Sequence, residues 1–498
     1  MITPNFRLSG IPPEIWLEIF RYATYTPRST TIAPLDPFIP DRLSNNVMGA
    51  NTPLLSMRTK CDLVLVCQSW RKVATELLYE HIIIRSPRRA TMILAVLREN
   101  ARAASENGDG TNAHTNARPT CTLHNSEYGQ WARHIEVYTH ARRTESLLFL
   151  QDVFQILQHC RNLRMFSGSW MWLVPTGFLE GLSALYGPSL HGLAWDEQNI
   201  STTASETFTT RSFLASFHSL RILDLRNFVG SDSTDVQHND EKPLLPNVRI
   251  LLVSTRLRSL LIGLALYLPA LRRLVFEIPS NPSTTNIPHQ VFEPFVRTHG
   301  PFLTYLEIIS PNPSEATLTT TLDISTFLHP MHCHNLHTLV FSQTLPIMQT
   351  LSTPHMSLRR IGLRDVNIDE LYPSKTTQTK NHLLSFTREA FPALEVVRTV
   401  GFLVDADIDG LAKDIFIWWA EMFDREAIDF QDGEGILWLY TDPAEVGNKD
   451  GPCKEGECLE MKRDLRTGEV GADDEGGVSA SHYISTRVSA RRAGNKLL

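Results

Sequence analysis

One short phrase recurs along most of the chain and restricts what it can fold into. It reads CRNLRMF at Cys160, PSLHGLAW at Pro188, FHSLRILDL at Phe217, LPNVRILLV at Leu245 and LPALRRLVF at Leu268. It returns as PFLTYLEII at Pro301, CHNLHTLVF at Cys333, MSLRRIGL at Met356 and FPALEVV at Phe391. The first leucine-type position falls at residues 163, 190, 220, 248, 271, 303, 336, 358 and 394, giving steps of 27, 30, 28, 23, 32, 33, 22 and 36. An earlier copy starts near Ile135. No single copy of this size can bury its apolar face alone, so neighbours must stack and share one core. The leucine positions are expected inside, and alternate strand positions on the opposite face.

A step of roughly 20 to 30 residues headed by L-x-x-L-x-L resembles leucine-rich repeats. The looser steps are similar to irregular leucine-rich repeats. The asparagine of regular repeats is missing in most copies, since Leu225 is followed by Arg226-Asn227-Phe228. The resemblance implies an α/β solenoid with a parallel sheet on its concave face, where such proteins bind their targets. Alternation places Ile222, Asp224 and Arg226, Arg273, Val275 and Glu277, Tyr305, Glu307 and Ile309, and Arg360, Gly362 and Arg364 on that face. Of these, Asp224, Arg226, Arg273, Glu277, Tyr305, Arg360 and Arg364 are candidate substrate-binding residues. Their charges are mixed, which favours neither a phosphopeptide nor a basic motif.

Ahead of the repeats, IPPEIWLEIFRYA opens with Pro12-Pro13 and places Glu14 in the first turn, both helix-start signals. Ile15, Trp16, Ile19, Phe20 and Ala23 form an apolar stripe. Residues 26–53 carry Pro27, Pro34, Pro37, Pro40 and Pro53 and read as a loop. Helical periodicity resumes through Leu63, Val66, Cys67, Trp70 and Leu77.

Pro13-Glu14-Ile15 through Ile19-Phe20, then Val66-Cys67-Gln68-Ser69-Trp70-Arg71 and Leu77-Leu78-Tyr79, resemble the F-box signature. The connection between its first two helices is longer here than the family usually has. The resemblance implies docking on a Skp-type adaptor, and through it a cullin, by Pro13, Ile15, Ile19, Phe20, Leu63, Val66, Cys67 and Trp70.

The expected organisation is an F-box module at 8–82, a connecting helix and flexible linker at 83–127, repeats at 128–443 and a disordered tail at 444–498. Residues 99–127 and the segment from Gly230 are poor in apolar residues, which suits loops. A net charge of -7 argues against a phosphate-backbone binder, so nucleic acid is not expected as a partner. The start lacks a secretory signal, and the longest apolar stretch, residues 260–268, is too short for a membrane helix. Seven scattered cysteines (61, 67, 121, 160, 333, 453 and 458) suit reduced thiols, and a cytoplasmic or nuclear location is expected.

No G-x-x-x-x-G-K-[ST], G-x-S-x-G or H-E-x-x-H motif occurs. His332-Cys333-His334 lacks a second ligand pair at zinc spacing. The run Asp405, Asp407, Asp409 resembles a calcium loop but has Phe416 where the closing acid belongs. Neither metal nor cofactor is expected, nor catalysis. The resemblances imply a substrate-recognition subunit of an SCF-type ubiquitin ligase acting on a protein target. Two alternatives stay open: a scaffold that delivers no substrate, and a leucine-rich-repeat binder whose N-terminal helices only cap the solenoid.

Overall fold

The computed structural model describes residues 11–26, 31–39, 51–108, 127–139, 146–172, 174–197, 210–228, 243–279, 289–310, 322–348, 351, 353–404, 410–439 and 487–489. Helix α1 (Pro13–Ala23) begins where proline costs no hydrogen bond, and it ends at Thr24, whose N–H and hydroxyl return to the Phe20 carbonyl. Thr52 caps α2 (Pro53–Val66), its hydroxyl accepting from Leu55 N at 3.1 Å. Extended Cys67 breaks the path, and α3 (Gln68–Glu80) starts at once.

The three helices close around Phe20, Ala74 and Leu77, with Trp16, Leu17, Leu63, Val64, Trp70 and Val73 packed against them. Phe20 and Trp70 meet edge to face at 4.8 Å, a favoured aromatic geometry. Arg21 reaches Glu76 and Glu80, tying α1 to α3.

From His81 the chain alternates strands with return segments. The strands are β1 (His81–Ile84), β2 (His134–Tyr138), β3 (Met165–Trp170), β4 (Gly192–Glu197), β5 (Ile222–Asp224), β6 (Ile250–Ser254) and β7 (Arg273–Glu277). They continue as β8 (Tyr305–Ile309), β9 (Thr338–Ser342), β10 (Arg360–Arg364), β11 (Val396–Val400), β12 (Asp429–Gln431), β13 (Ile436–Trp438) and β14 (Arg487–Ser489). All join one sheet in sequence order. Pairing is parallel from β1 to β12 and antiparallel from there to β14. The return segments carry α4 (Pro87–Gly108), α5 (Ser146–His159), α6 (Thr176–Tyr186), α7 (Thr210–Ala215), α8 (Leu257–Ala265), α9 (His289–His299), α10 (Ser325–Leu328), α11 (Ile368–Leu371), α12 (Gln378–Ser385) and α13 (Gly410–Asp424).

The repeat phrase explains this order. Each leucine-type position from Leu163 to Leu394 is at most 1% exposed and lies two residues before its strand. The residue just before it often ties neighbouring copies. Asn162, Asn247 and Asn335 each donate at 2.9 Å to the carbonyls of Gln130, His218 and Pro301 in the preceding copy. Ser219 and Ser357 do the same to Pro188 and His334. This polar ladder stands at a different repeat position from the asparagine whose absence the sequence signals.

Strand residues divide between two faces. Leu193, Leu223, Leu251, Leu274, Leu306, Leu339, Ile361 and Val397 join the helices in the main core. Alternate positions form separate clusters on the opposite face, which is helix-free among the described residues, one with Leu252 and Val275, another with Tyr305, Val340 and Val400.

Two boundaries differ from the sequence reading, and a third falls mostly outside the described residues. The sheet starts at His81, not 128, because His-Ile-Ile-Ile pairs with β2. Helix α4 runs to Gly108, into the expected linker, since Ala, Arg and Glu there are strong helix formers. The expected tail at 444–498 lies outside the described residues except for β14, which pairs with β13. The expected loop from Gly230 to 242, the acidic run at 405–409, and Cys121, Cys453 and Cys458 also lie outside them. No helix among the described residues is long and apolar enough to cross a membrane.

Candidate functional site

The helix-free face gathers the charged residues expected there, and it pairs them with one another. Arg226 holds Asp224 at 2.7 Å and Glu277 at 2.6 Å. Burial works against its charge, yet the two carboxylates more than offset this and raise its pKa above the ordinary value. Further along, Glu307 is fully buried and accepts from Arg273 at 2.9 Å, Arg364 at 2.5 Å and the Tyr305 hydroxyl at 3.1 Å. The Arg273 guanidinium also stands over the Tyr305 ring at 4.2 Å. Burial and the neighbouring Glu307 push the Tyr305 phenol upward.

Part of this face is covered by the chain itself. Residues 31–39, between α1 and α2, lie on it, burying Ala33 with Leu252 and Val275, and Phe38 with Tyr305, Val340 and Val400. Arg360 and Arg398 flank the Phe38 ring. Among the candidate residues, Asp224, Arg226 and Glu277 form one group. Arg273, Tyr305 and Arg364 form a second around Glu307, and Arg360 sits with Phe38. Sequence reasoning missed Arg398 and the covering segment. The available signal was an apolar residue every third place at Ile32, Leu35 and Phe38 beside Pro34 and Pro37.

The N-terminal module divides the candidate adaptor residues in two. Phe20, Leu63 and Trp70 pack in its own core. Pro13, Ile15, Ile19, Val66 and Cys67 are exposed. On α1 the outward side chains Ile15, Ile19 and Tyr22 follow an i, i+4, i+7 spacing, at 51%, 44% and 62% exposure. Leu54, Leu55, Leu65 and Val66 of α2 are exposed as well.

Where the module meets the sheet, His81, His134 and Glu136 form the one cluster of potential metal ligands among the described residues. His81 Nε2 is 3.1 Å from Glu136 Oε1, and Tyr138 donates to Oε2 at 2.8 Å. The two imidazoles stack in parallel, 4.6 Å apart and 5° from coplanar. An ion must lie in the plane of each ring it binds, and one ion cannot lie in both of these. The arrangement is instead a charge network. Burial raises the Glu136 pKa, but bonding and charge from His81, then His134 and Tyr138, outweigh it and bring it down to about 2.

A row of basic side chains runs along the starts of the strands. Arg133, Arg164, His191, Arg221, Arg249 and Arg272 occupy one position in successive copies, each N–H after the first donating to the previous carbonyl at 2.7 to 2.9 Å. The strand spacing holds them about 4.8 Å apart. Among the described residues none makes an ion pair. A cavity of about 140 Å³ opens between His191, Ser219, Arg221, Asn247 and Arg249.

Cys160 and Cys333 are buried, which raises both thiols to about 12 and removes them as nucleophiles. His332 turns its Nδ1 to the Thr326 carbonyl.

No family model matches this chain, and no curated protein matches it. A solved structure of a Bacteroides fragilis protein is similar at 11% identity and a TM-score of 0.30, covering 62% of this chain and 66% of that one.

Proposed function

We propose that this chain is a substrate-recognition subunit of an SCF-type cullin ubiquitin ligase. Its N-terminal module docks on a Skp-type adaptor, and its strand-and-helix repeats hold the protein target. The observation that carries this reading is the outward apolar face of α1 and α2. The module already buries Phe20 and Trp70 in a core of its own, and it still presents Ile15, Ile19, Leu65 and Val66 to solvent. A partner surface is the natural cover for such a patch. Full burial of each side chain contributes about 1.5 to 3 kcal/mol.

The cap reading has an observation of its own. Tyr79 of α3 stacks on Tyr128 at 4.7 Å, and the Glu80 carbonyl accepts from Arg133 N, so α3 closes the first copy. Capping accounts for α3 and leaves the exposed side chains of α1 and α2 without a role.

The test is co-purification of the adaptor with Ile15→Asp plus Ile19→Asp. Both residues are exposed, so the fold stays and the adaptor is lost. Retained adaptor sinks the docking proposal. Target stabilisation on deleting residues 1–82 separates a receptor from a scaffold.

A further inference from the structure

Residues 31–39, TIAPLDPFI, come from the connection between α1 and α2, yet they run across the strands in order. Near β4, a Cβ added to Gly192 would lie 3.3 Å from Ile32 Cδ1. Ala33 is buried with Leu252 of β6 and Val275 of β7. The Leu35 carbonyl accepts from Arg273 of β7 at 3.3 Å, and the Pro37 carbonyl accepts from Arg398 of β11. Phe38 packs on Tyr305, Val340 and Val400, with the guanidinium carbons of Arg360 and Arg398 at 5.3 and 4.9 Å from its ring centroid.

Three features give this segment the character of a ligand. It adds no strand to the sheet, and it is held by side chains that meet its carbonyls and its ring. The face also pairs most of its charges without it: Arg226 with Asp224 and Glu277, and Arg273 and Arg364 with Glu307, while Arg398 donates to the neutral Gln431 side chain at 2.6 Å. Finally, the segment is shaped in advance. Pro34 and Pro37 fix φ, and Asp36 Oδ1 accepts from Phe38 N at 2.9 Å, so little entropy is lost on seating.

We infer that the helix-free face is a receptor groove for an extended peptide with a proline, an acidic residue and an aromatic ring in that order, and that residues 31–39 fill it as an internal copy of that ligand. This rests on the reading of the repeats as the target-binding part, and it names the chemistry of the target segment. The groove supplies apolar strand residues for small side chains, Arg273 and Arg398 for peptide carbonyls, and the Arg360–Arg398 pair for the ring. Anchored at both ends, the internal copy has an effective concentration on the order of millimolar. A target must therefore outbind it, which sets a threshold on recognition.

The probe is a fluorescein-labelled peptide of residues 30–40, read by anisotropy against three full-length chains: unaltered, residues 31–39 replaced by Gly and Ser, and Phe38→Ser. The replaced chain is expected to bind saturably and the unaltered chain about 100-fold more weakly, with Phe38→Ser in between. A probe carrying Phe38→Ala should lose about ten-fold or more of its binding. In the unaltered chain, excess unlabelled peptide should speed hydrogen exchange within residues 31–39. Equal binding by all three chains, no binding by cooperatively melting variants, or unchanged exchange in the unaltered chain overturns the proposal. Adaptor co-purification is measured on the same chains. Failed peptide binding with the adaptor retained removes the groove alone, whereas adaptor loss on Ile15→Asp plus Ile19→Asp concerns only the docking module.

Discussion

The guanidinium carbon of Arg398 lies 4.9 Å from the centre of the Phe38 ring, joining the far end of the parallel sheet to the connection between the first two helices. Arg398 is only 8% exposed, and among the described residues it makes no ion pair. Burial draws its pKa down to about 10, with Asp432 and Asp36 limiting the fall. The ring faces a charge that has lost most of its water, where a cation–π contact is strongest. Phe38→Leu keeps most of the volume and gives up the ring, so it should cost about 1 kcal/mol, whereas Phe38→Ala should cost about 3. Guanidinium denaturation separates the two: a negligible loss in Phe38→Leu would assign the whole effect to apolar burial and refute the cation–π contribution.

Glu307 offers a sharper case, because two arginines depend on it. Its side chain is fully buried and bonded to Arg273, Arg364 and Tyr305. Glu307→Ala leaves two neighbouring guanidiniums without their carboxylate. Removing one partner of a buried ion pair typically costs about 3 to 5 kcal/mol. Adding Arg364→Met to that variant should recover part of the loss, and thermal melts of the two variants provide the check.

Stability in acid should report on Glu136. With His81, His134 and Tyr138 outweighing burial, the folded carboxyl titrates near 2, below its ordinary 4.5. The unfolded chain therefore binds the proton first as pH falls. The contribution is complete above pH 4.5 and fades as pH drops toward 2. Its full size is about 3 kcal/mol. In Glu136→Gln, unfolding free energy should be lower at pH 6 and should depend less on pH below 4.5. Parallel curves for the two chains would refute the assignment.

The strands were readable because their signal is local. Leu163 through Leu394 mark β3 to β11 two residues ahead, since an inward side chain at the head of a copy is required however long the return segment is. The faces of those strands followed from alternation alone. Other features depend on contacts that no local pattern carries. Phe20 and Ile19 share one apolar stripe, but only the packing of α3 decides that Phe20 turns inward and Ile19 outward. Residues 31–39 read as a loop because their partners, from Gly192 to Arg398, lie far along the chain. The stacking of His81 on His134 required β1 to pair with β2, and the intervening α4 hid that pairing.

The row from Arg133 to Arg272 yields the last prediction. The ladder fixes the backbone of these residues at the strand spacing, so their like charges cannot spread far apart. Their repulsion already acts on His191, whose pKa is lowered first by partial burial and then by Arg221 and Arg164. Arg221→Gln removes one repelling charge and leaves the burial unchanged. The His191 pKa should then rise part of the way to its ordinary 6.5, as followed by imidazole proton shifts in NMR. Arg249→Gln should raise the melting temperature at about 0.01 M salt, where the screening length is about 30 Å, and lose that gain at about 1 M, where it is about 3 Å. A gain that ignores salt would place the effect in packing, and a fall at low salt would mean that Arg249 finds a partner in solution.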